Sequence, residues 1–513
     1  MTFFDPHSVV PQVNSDADVN QRARVLAQGH KALSSLPQAI LDLGSIFARN
    51  GSELALVGGP VRDAFLGRPI HDFDFTTSAR PDQTIHLLEE WGGNIWDIGK
   101  KFGTIGGAKD GYVVEITTYR TEHYDPDSRK PDVSYGDCLE GDLTRRDFTV
   151  NAMAVRLPSL ELVDPCGGCD DLISGVLRTP APATQSFDDD PLRIMRAARF
   201  SSQLGFDVTA DVLKAMEDFA PRLSIVSAER IQAELTRLIT GEYPRRGIEL
   251  LVYTGIAKIV LPELDALQDL VDEHRRHKDV YEHTLTVVDQ AVALETDADG
   301  AVPRPDFTLR FAALMHDVGK APTRRFEKNG AVSFHNHDIV GAKLTAKRMR
   351  ALKFDKQTIK DVSRLVHMHL RFHGYGEQEW TDSAVRRYVA DSGELYERLN
   401  RLTRADSTTQ NKRKARWLQA AMDDLEQRVI ELKKQEEINA IRPDIDGSEI
   451  MEILGISPGP AVGKARKFLL DLRIEEGPLG KDEAARRLIQ WWNAEKGGET
   501  DTIEPIEPIE PHR

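Results

Sequence analysis

"LALVGGPVRDAFLGRPIHDFDFTT", Leu54 to Thr77, decides how this chain is read. Phe73 and Phe75 alternate with Asp72 and Asp74, the period of a strand that buries one face and turns both carboxylates to the other. Two like charges on one face repel unless a cation sits between them. Asp72 and Asp74 therefore read as ligands for two Mg2+ ions, which bridge triphosphate oxygens and activate an attacking hydroxyl. Upstream, Gly58 and Gly59 carry no side chains where backbone N–H groups would approach phosphate. The helix expected over Val61–Phe65 would turn its N-terminus to the same anion. Arg62 adds positive charge, while Asp63 either holds Arg62 or caps the helix. Glu115, in the alternating run "GYVVEITTYR", is the candidate third acid on a neighbouring strand. A lone DxD arises by chance on surface strands, whereas GG-x-VRD followed at this interval by DxD is specific.

At 513 residues the chain is too long for one core, and three or so compact units are expected. A hydrophobic share of 40% with 29% charged residues describes a soluble globular protein. No apolar run is long enough to span a bilayer, and "MTFFDPHSVVPQVNSD" lacks the regions of a secretion signal. Three cysteines argue against a disulfide framework and suit a reducing cytoplasm, so a cytoplasmic location is expected. Cys166 and Cys169 form a CxxC, but no second pair exists for zinc and glycines fill the gap, so a Gly-rich hinge is expected. The net charge of −15 counts against nonspecific nucleic-acid binding. Local basic clusters remain at Arg145-Arg146, Arg193/Arg196/Arg199, Arg245-Arg246, 274–278 and 411–416, each otherwise a solvated face.

Residues 1–35 are polar and sparsely patterned, an arm. A helix near Gln38–Ala48, the strand "ELALVGG", the strand "DFDFTT", a helix over Pro81–Trp91 and the strands "GGNIWDIG", "GTIGGAK" and "GYVVEITTYR" follow. "TEHYDPDSRKPDVSYGDCLEGD", rich in Pro, Asp and Gly, reads as a long mobile loop. From Phe187 onward the apolar spacing is helical. Asp190 before Pro191 and Ser227 before Glu229 are plausible helix starts. The chain ends in "GGETDTIEPIEPIEPHR", an acidic Pro repeat with no means of packing a core.

The quoted stretch is followed in order by "LTRRDFTVNAMA", "DPCGGCDDL", "DDDPLRIMRAARF" and "SAERIQAEL". With these motifs the chain resembles the class II tRNA nucleotidyltransferase (CCA-adding enzyme) and bacterial poly(A) polymerase family, which has a polymerase β-type head. The match covers roughly Leu54 to Leu238, and similarity to longer members extends to about Trp492. The resemblance implies an α+β protein: a small mixed-sheet nucleotidyltransferase head, then an elongated, mainly α-helical neck, an HD domain and a C-terminal helical region. The expected boundaries are 1–35 for the arm, 36–178 for the head, 179–262 for the neck, 263–440 for the HD domain, 441–496 for a tRNA-binding region and 497–513 for the tail.

Carried over by position, Arg145, Arg146, Asp147 and Asn151 resemble the segment that holds the ribose and phosphates of the incoming nucleotide. Guanidinium forks suit phosphate and Asp147 suits ribose hydroxyls; the competing reading makes Asp147 a helix cap. Asp190 and Arg193, three apart at a helix start, would point to one side. A carboxylate acceptor beside a guanidinium donor matches the Watson–Crick edges of C and A and mismatches G and U. Alone, Asp190 would be a cap and Arg193 a surface charge; in the family's "EDxxR" motif they read the nucleobase. Asp189 stands where many relatives have Glu. Arg196 and Arg199 continue the helix and meet either phosphate or nearby acids.

"VYEHTL", "LMHDVGKA", "FHNHDIVGA" and "LTRADSTTQN" resemble the HD phosphohydrolase domain. His283, His316, Asp317 and Asp406 are the implied ligands of a divalent transition metal, with His337 and His369 as additional ligands or phosphate contacts. "LGISPGPAVGKA" either offers backbone amides to RNA phosphates or packs two helices tightly. The expected activity is template-independent addition of CCA to the 3′ end of tRNA from CTP and ATP, releasing pyrophosphate. No DNA or membrane partner is expected, and the oligomeric state is left open. The polar loop near 121–140 would reshape the pocket between C and A. Three alternatives stand: a poly(A) polymerase, a CC-only or A-only enzyme, and an RNA-binding HD phosphohydrolase with an inactive head.

Overall fold

The computed structural model describes residues 16–496 except 71, 124–131, 137, 269, 271–279, 329–331, 373–374, 376–379, 408–411 and 437–441. The chain divides into two compact units, Met1–Leu270 with Lys347–Ile359, and Val271–Ala346 with Lys360–Arg513. No helix among the described residues is long and apolar enough to cross a membrane.

In the first unit, strands β1 (Leu54–Val57), β2 (Phe73–Thr77), β3 (Asn94–Trp96), β4 (Thr104–Lys109), β5 (Tyr112–Thr118), β6 (Arg120–His123), β7 (Asp132–Tyr135), β8 (Ala154–Leu157) and β9 (Glu161–Val163) build the head. Seven of them form one mixed sheet in the order β3-β4-β5-β2-β1-β8-β9, and β6 pairs with β7. Helices α1 (Asp16–Ser34), α2 (Gln38–Arg49), α3 (Gly59–Phe65), α4 (Pro81–Trp91), α5 (Leu139–Thr144) and α6 (Gly168–Ser174) accompany the strands. β1 is apolar and buried throughout, as a central strand covered on both faces must be. β2 alternates instead. Phe73 and Phe75 stack at 6.4 Å, buried on the face covered by α4, and leave Asp74 exposed on the other. Only β2 and β5 run parallel in this sheet, and their register sets Asp74 opposite Glu115.

The neck follows as α7 (Ala183–Asp189), α8 (Leu192–Leu204), α9 (Ala210–Phe219), α10 (Ala228–Ile239) and α11 (Pro244–Tyr253). α8 is the buried hub, packed by α10 and α11. Ser227 caps α10 by accepting from the Arg230 N–H, as its position promised.

Several expectations need correction. Within the expected arm, Asp16–Ser34 is a helix packed on α3, with an ion pair of 2.8 Å from Arg22 to Asp170; residues 1–15 lie outside the described residues. The polar run 121–142 is not loop throughout, because β6, β7 and α5 occupy its ends: backbone pairing and a helical turn satisfy its polar groups. Its middle, and the acidic tail from 497, lie outside the described residues. "GGNIWDIG" contributes only three strand residues. α8 starts one residue later than Pro191, and Asp190 accepts from the Leu192 N–H at 3.1 Å.

Among its described residues the second unit has helices and one short strand pair, Arg325–Phe326 with Val332–Ser333. Its helices include Val280–Ala293, Phe307–Met315, His337–Ala351 in part, Lys360–Met368 as the end of a longer helix, and Tyr396–Asp406. Near the C-terminus, helices Gly447–Leu454, Pro460–Glu476 and Lys481–Lys496 share a core around Ile450, Leu469, Leu488 and Trp492.

Candidate active site

The three acids gather at the middle of the head sheet. Asp74 and Glu115 are register partners across β2 and β5, and Asp72 precedes β2 on the same alternation. Crowding by protein atoms pushes the Asp74 carboxyl up, the Glu115 charge pushes it further, Arg146 opposes and Asp72 adds to the rise. Three acids with too little positive charge among them are the donor set that hard divalent cations take, so these residues fit Mg2+.

Cationic residues border the acids. Gly58 has φ 77°, and a Cβ there would stand 3.3 Å from Arg146 Nη1, so only glycine lets the turn and this guanidinium lie so close. Arg62 donates to Asp63 Oδ1 at 2.9 and 3.0 Å and to Asn151 Oδ1 at 2.7 Å. Asn151 donates in turn to Asp147 Oδ1 at 3.1 Å, and Arg196 Nε donates to Asp147 Oδ2 at 2.7 Å. One chain of bonds thus runs from the helix after the Gly58 turn into α8 of the neck. Burial alone would raise the Asp147 carboxyl; the paired Arg196, then Asn151 and Arg193, outweigh it and hold the group well below the carboxylate range.

The nucleobase candidates are placed differently from expectation. Arg193 is buried, donating to Ser186 Oγ at 2.8 Å and to the Arg145 carbonyl at 2.7 Å. Asp190 accepts instead from Arg230 Nη2 at 3.2 Å. The two side chains do not meet each other, because Arg193 turns inward toward a buried carbonyl while Asp190 stays at the helix start. Arg196 and Arg199 both meet acids, Asp147 and Glu234, and three guanidiniums, Arg62, Arg196 and Arg199, surround the Phe200 ring at 5.4, 5.6 and 3.9 Å.

Sequence reasoning missed Asp142. This fully buried carboxylate accepts from Arg145 at 2.5 and 3.1 Å, from Arg146 at 3.2 Å, from Thr76 Oγ1 on β2 at 3.1 Å and from the Arg120 N–H at 3.3 Å. It ties both arginines to the strand that carries Asp74. Its signal was the spacing, since Arg145 and Arg146 lie three and four residues beyond it on one helical face.

"DPCGGCDDL" forms a glycine turn into a helix start: Asp164 accepts from the N–H groups of Gly168 and Cys169 at 2.7 and 2.9 Å, capping α6. Burial and the Asp164 charge push the Cys166 thiol up and the Cys169 thiol to about 12, the reverse of a redox motif. All three cysteines are free.

The second unit holds its own cluster. Ligand atoms of His283, His316 and Asp317 lie within 4.8 Å of one another, as do those of Asp317, His337 and His369, so Asp317 is common to both groups. Asp406 Oδ1 is 3.0 Å from His283 Nε2 and 3.5 Å from His316 Nε2. The Nδ1 atoms of His316, His337 and His369 each lie 2.7–2.8 Å from the carbonyl three residues back, which fixes the ring and leaves Nε2 for the centre. Nε2 of His316 and of His337 is buried and makes no hydrogen bond, although carboxylate oxygens lie 3.2–3.5 Å away. Imidazole and carboxylate donors aimed at one point fit a divalent metal. Burial opposes charge on His316, but Asp317 and Asp406 outweigh it and push the imidazole up to about 10; burial and His316 push His369 down to about 4.

Comparison with known proteins matches residues 54–178 to the poly A polymerase head domain, 205–268 to the probable RNA and SrmB-binding site of polymerase A, and 280–431 to the HD domain. An A-adding tRNA nucleotidyltransferase of Deinococcus radiodurans is 33% identical over 86% of this chain and 96% of its own length. A CCA-adding enzyme of Streptococcus thermophilus is 29% identical over 88% of this chain and 96% of its own. In fold, the chain is similar to the CCA-adding enzyme of Bacillus stearothermophilus crystallised with CTP, with a TM-score of 0.63 at 24% identity, over 90% of this chain and 98% of that one.

Proposed function

This chain belongs to the tRNA nucleotidyltransferase family, and on that premise we propose that it adds C, C and A to the 3′ end of tRNA without a nucleic-acid template, using CTP and ATP and releasing pyrophosphate. The observation that carries this reading is the acidic row of Asp74 and Glu115, bordered on the β1 side by the Gly58 turn and Arg146.

Asp72, Asp74 and Glu115 would hold two Mg2+ ions, which when bound neutralise triphosphate oxygens and favour ionisation of the attacking 3′-hydroxyl. The chain's own residues do the rest. Gly58 lets backbone approach the phosphates, and Arg62, Arg145 and Arg146 offset their charge in a fixed geometry. Asp147 and Asn151 would take the ribose hydroxyls by exchanging bonds they now make to Arg196 and Arg62. Asp190 and Arg193 select C and A. For that, Arg193 exchanges its bond to Ser186 for the base, so each nucleotide is admitted at the expense of an existing contact.

A second reading, addition of the terminal A alone, is favoured by the full-length similarity to an A-adding relative. In the second unit, His283, His316, Asp317 and Asp406, joined by His337 and His369, would hold a divalent transition metal suited to phosphoester hydrolysis. Three free thiols support a cytoplasmic site of action.

Single-nucleotide extension tests the proposal. Purified protein with Mg2+ is given tRNA ending before CCA, after CC, or complete, and each nucleoside triphosphate in turn. Addition of C, C, then A with a stop is expected. Extension only of the CC-ended tRNA, with A, selects the second reading, and runs of A on any RNA mean a poly(A) polymerase.

A further inference from the structure

Four positions line up across the open face of the head sheet. Asp74 pairs with Glu115, Glu115 with Gly106 and Gly106 with Trp96, so one row crosses β2, β5, β4 and β3. Cross-strand partners share a face. Gly106 leaves its place in the row empty and the Trp96 indole fills it. A Cβ on Gly106 would lie 2.0 Å from Trp96 Nε1 and 2.1 Å from Cε2. The ring therefore leans across the sheet toward Glu115, and it stays half-exposed beside the exposed Val113 on the same face.

The acids divide this face between two substrates. On one side β1 leads into the Gly58 turn and Arg62, whose partner Asn151 precedes β8, with Arg146 against the turn. In phosphoryl transfer the attacking and leaving oxygens lie roughly in line through the reacting phosphorus. The arginine side suits the triphosphate and its departing pyrophosphate, so the attacking 3′-hydroxyl comes from the side of β4 and β3. Neighbouring strands are about 4.8 Å apart, which sets β4 about 10 Å from β2, within reach of a base carried on the attacking ribose.

We propose that Trp96, seated over Gly106, is the stacking platform for the nucleobase at the 3′ end of the RNA being extended. This rests on the reading of the chain as an RNA 3′-end nucleotidyltransferase. Every base offers a π face, so stacking tolerates any sequence. That tolerance suits a 3′ end whose last base changes with each addition, whereas a hydrogen-bonding pocket would accept only one. The loop that follows, Asp97–Phe102, adds the exposed Lys101 and Phe102 (56% exposed), the basic and aromatic pairing that follows a single strand.

The test compares KM for an intact primer with KM for a primer whose terminal nucleotide lacks its base, in wild type, Trp96→Ala, Trp96→Phe and Gly106→Ala. Wild type should disfavour the abasic primer about tenfold, within what base–aromatic stacking supplies. Trp96→Ala should bind the intact primer about tenfold more weakly and no longer distinguish the two. Trp96→Phe should restore most of the difference, and Gly106→Ala, whose methyl displaces the indole, should behave like Trp96→Ala. A full abasic penalty in Trp96→Ala overturns the proposal. So does a rise confined to KM for the nucleoside triphosphate, which would put the incoming base on Trp96. A wild-type chain that extends no RNA at all overturns the function and this inference with it, whereas extension with an unchanged penalty overturns the inference alone.

Discussion

Asp74 and Glu115 stand opposite each other in the parallel pair β2–β5, two acids from segments 41 residues apart brought to one face of one sheet. Crowding by protein atoms, with the Glu115 repulsion added, raises the Asp74 carboxyl. A raised acid contributes stability that is full below its unfolded value of about 3.9 and is lost as pH rises through the folded value. At neutral pH the metal-free head therefore carries the whole penalty. Asp74→Asn should raise the melting temperature of the metal-free chain by about 1–2 °C while abolishing nucleotide addition. Calorimetry in chelator beside an extension assay checks both, and a lower melting temperature would contradict the electrostatic account.

Asp147 and Arg196 behave in the opposite sense. The Asp147 carboxyl is held down by Arg196 despite its burial, so its contribution is full above about pH 4 and lost as pH falls. Asp147→Ala leaves Arg196 facing a buried gap and should destabilise the first unit by about 3–5 kcal/mol. Urea unfolding of the variant at pH 7 and pH 3 should show the difference shrinking in acid.

Asp142 holds Arg145 and Arg146 by ion pairs and, through Thr76, ties them to the strand that carries Asp74. Asp142→Asn keeps the volume and removes the charge. It should lower kcat/KM for the nucleotide about 10- to 100-fold, chiefly by raising the nucleotide KM, with KM for tRNA little changed. Steady-state kinetics with each substrate varied would separate this from general loss of structure.

The HD cluster should take up a divalent metal and expel a proton. Against burial, Asp317 and Asp406 push the metal-free His316 imidazole up to about 10, so its charge contributes stability that is full below about pH 6.5 and lost as pH rises through about 10. Binding of Mn2+, Ni2+ or Zn2+ at pH 7.5 should release about one proton per site, measured by titration calorimetry in buffers of different ionisation heat. His316→Ala should abolish that uptake and leave nucleotide addition in the head intact.

Much of this was legible in the chain. Period-two alternation exposed Asp72 and Asp74, and the apolar run "ELALVGG" marked a strand, because both signals are local. "DPCGGCDDL" was legible as no redox motif, since the burial and the acids around its thiols raise their pKa. What escaped was set by distance in sequence. Arg193 turns inward to the carbonyl of Arg145, 48 residues away, and no local pattern encodes that bond. Trp96 meets Gly106 only once β3 pairs with β4. The polar run after Arg120 looked like loop because proline, aspartate and glycine dominate it, yet its ends pair as β6 and β7.

The most direct test of the account is incorporation of CTP and ATP into tRNA lacking CCA by the wild-type chain and by Asp72→Ala/Asp74→Ala. The account predicts sequential C, C and A by wild type and no detectable incorporation by the double variant, with the HD metal still bound. Incorporation that survives the loss of both aspartates would contradict it, because the acids at the centre of the head sheet would then not be where the nucleotide is transferred.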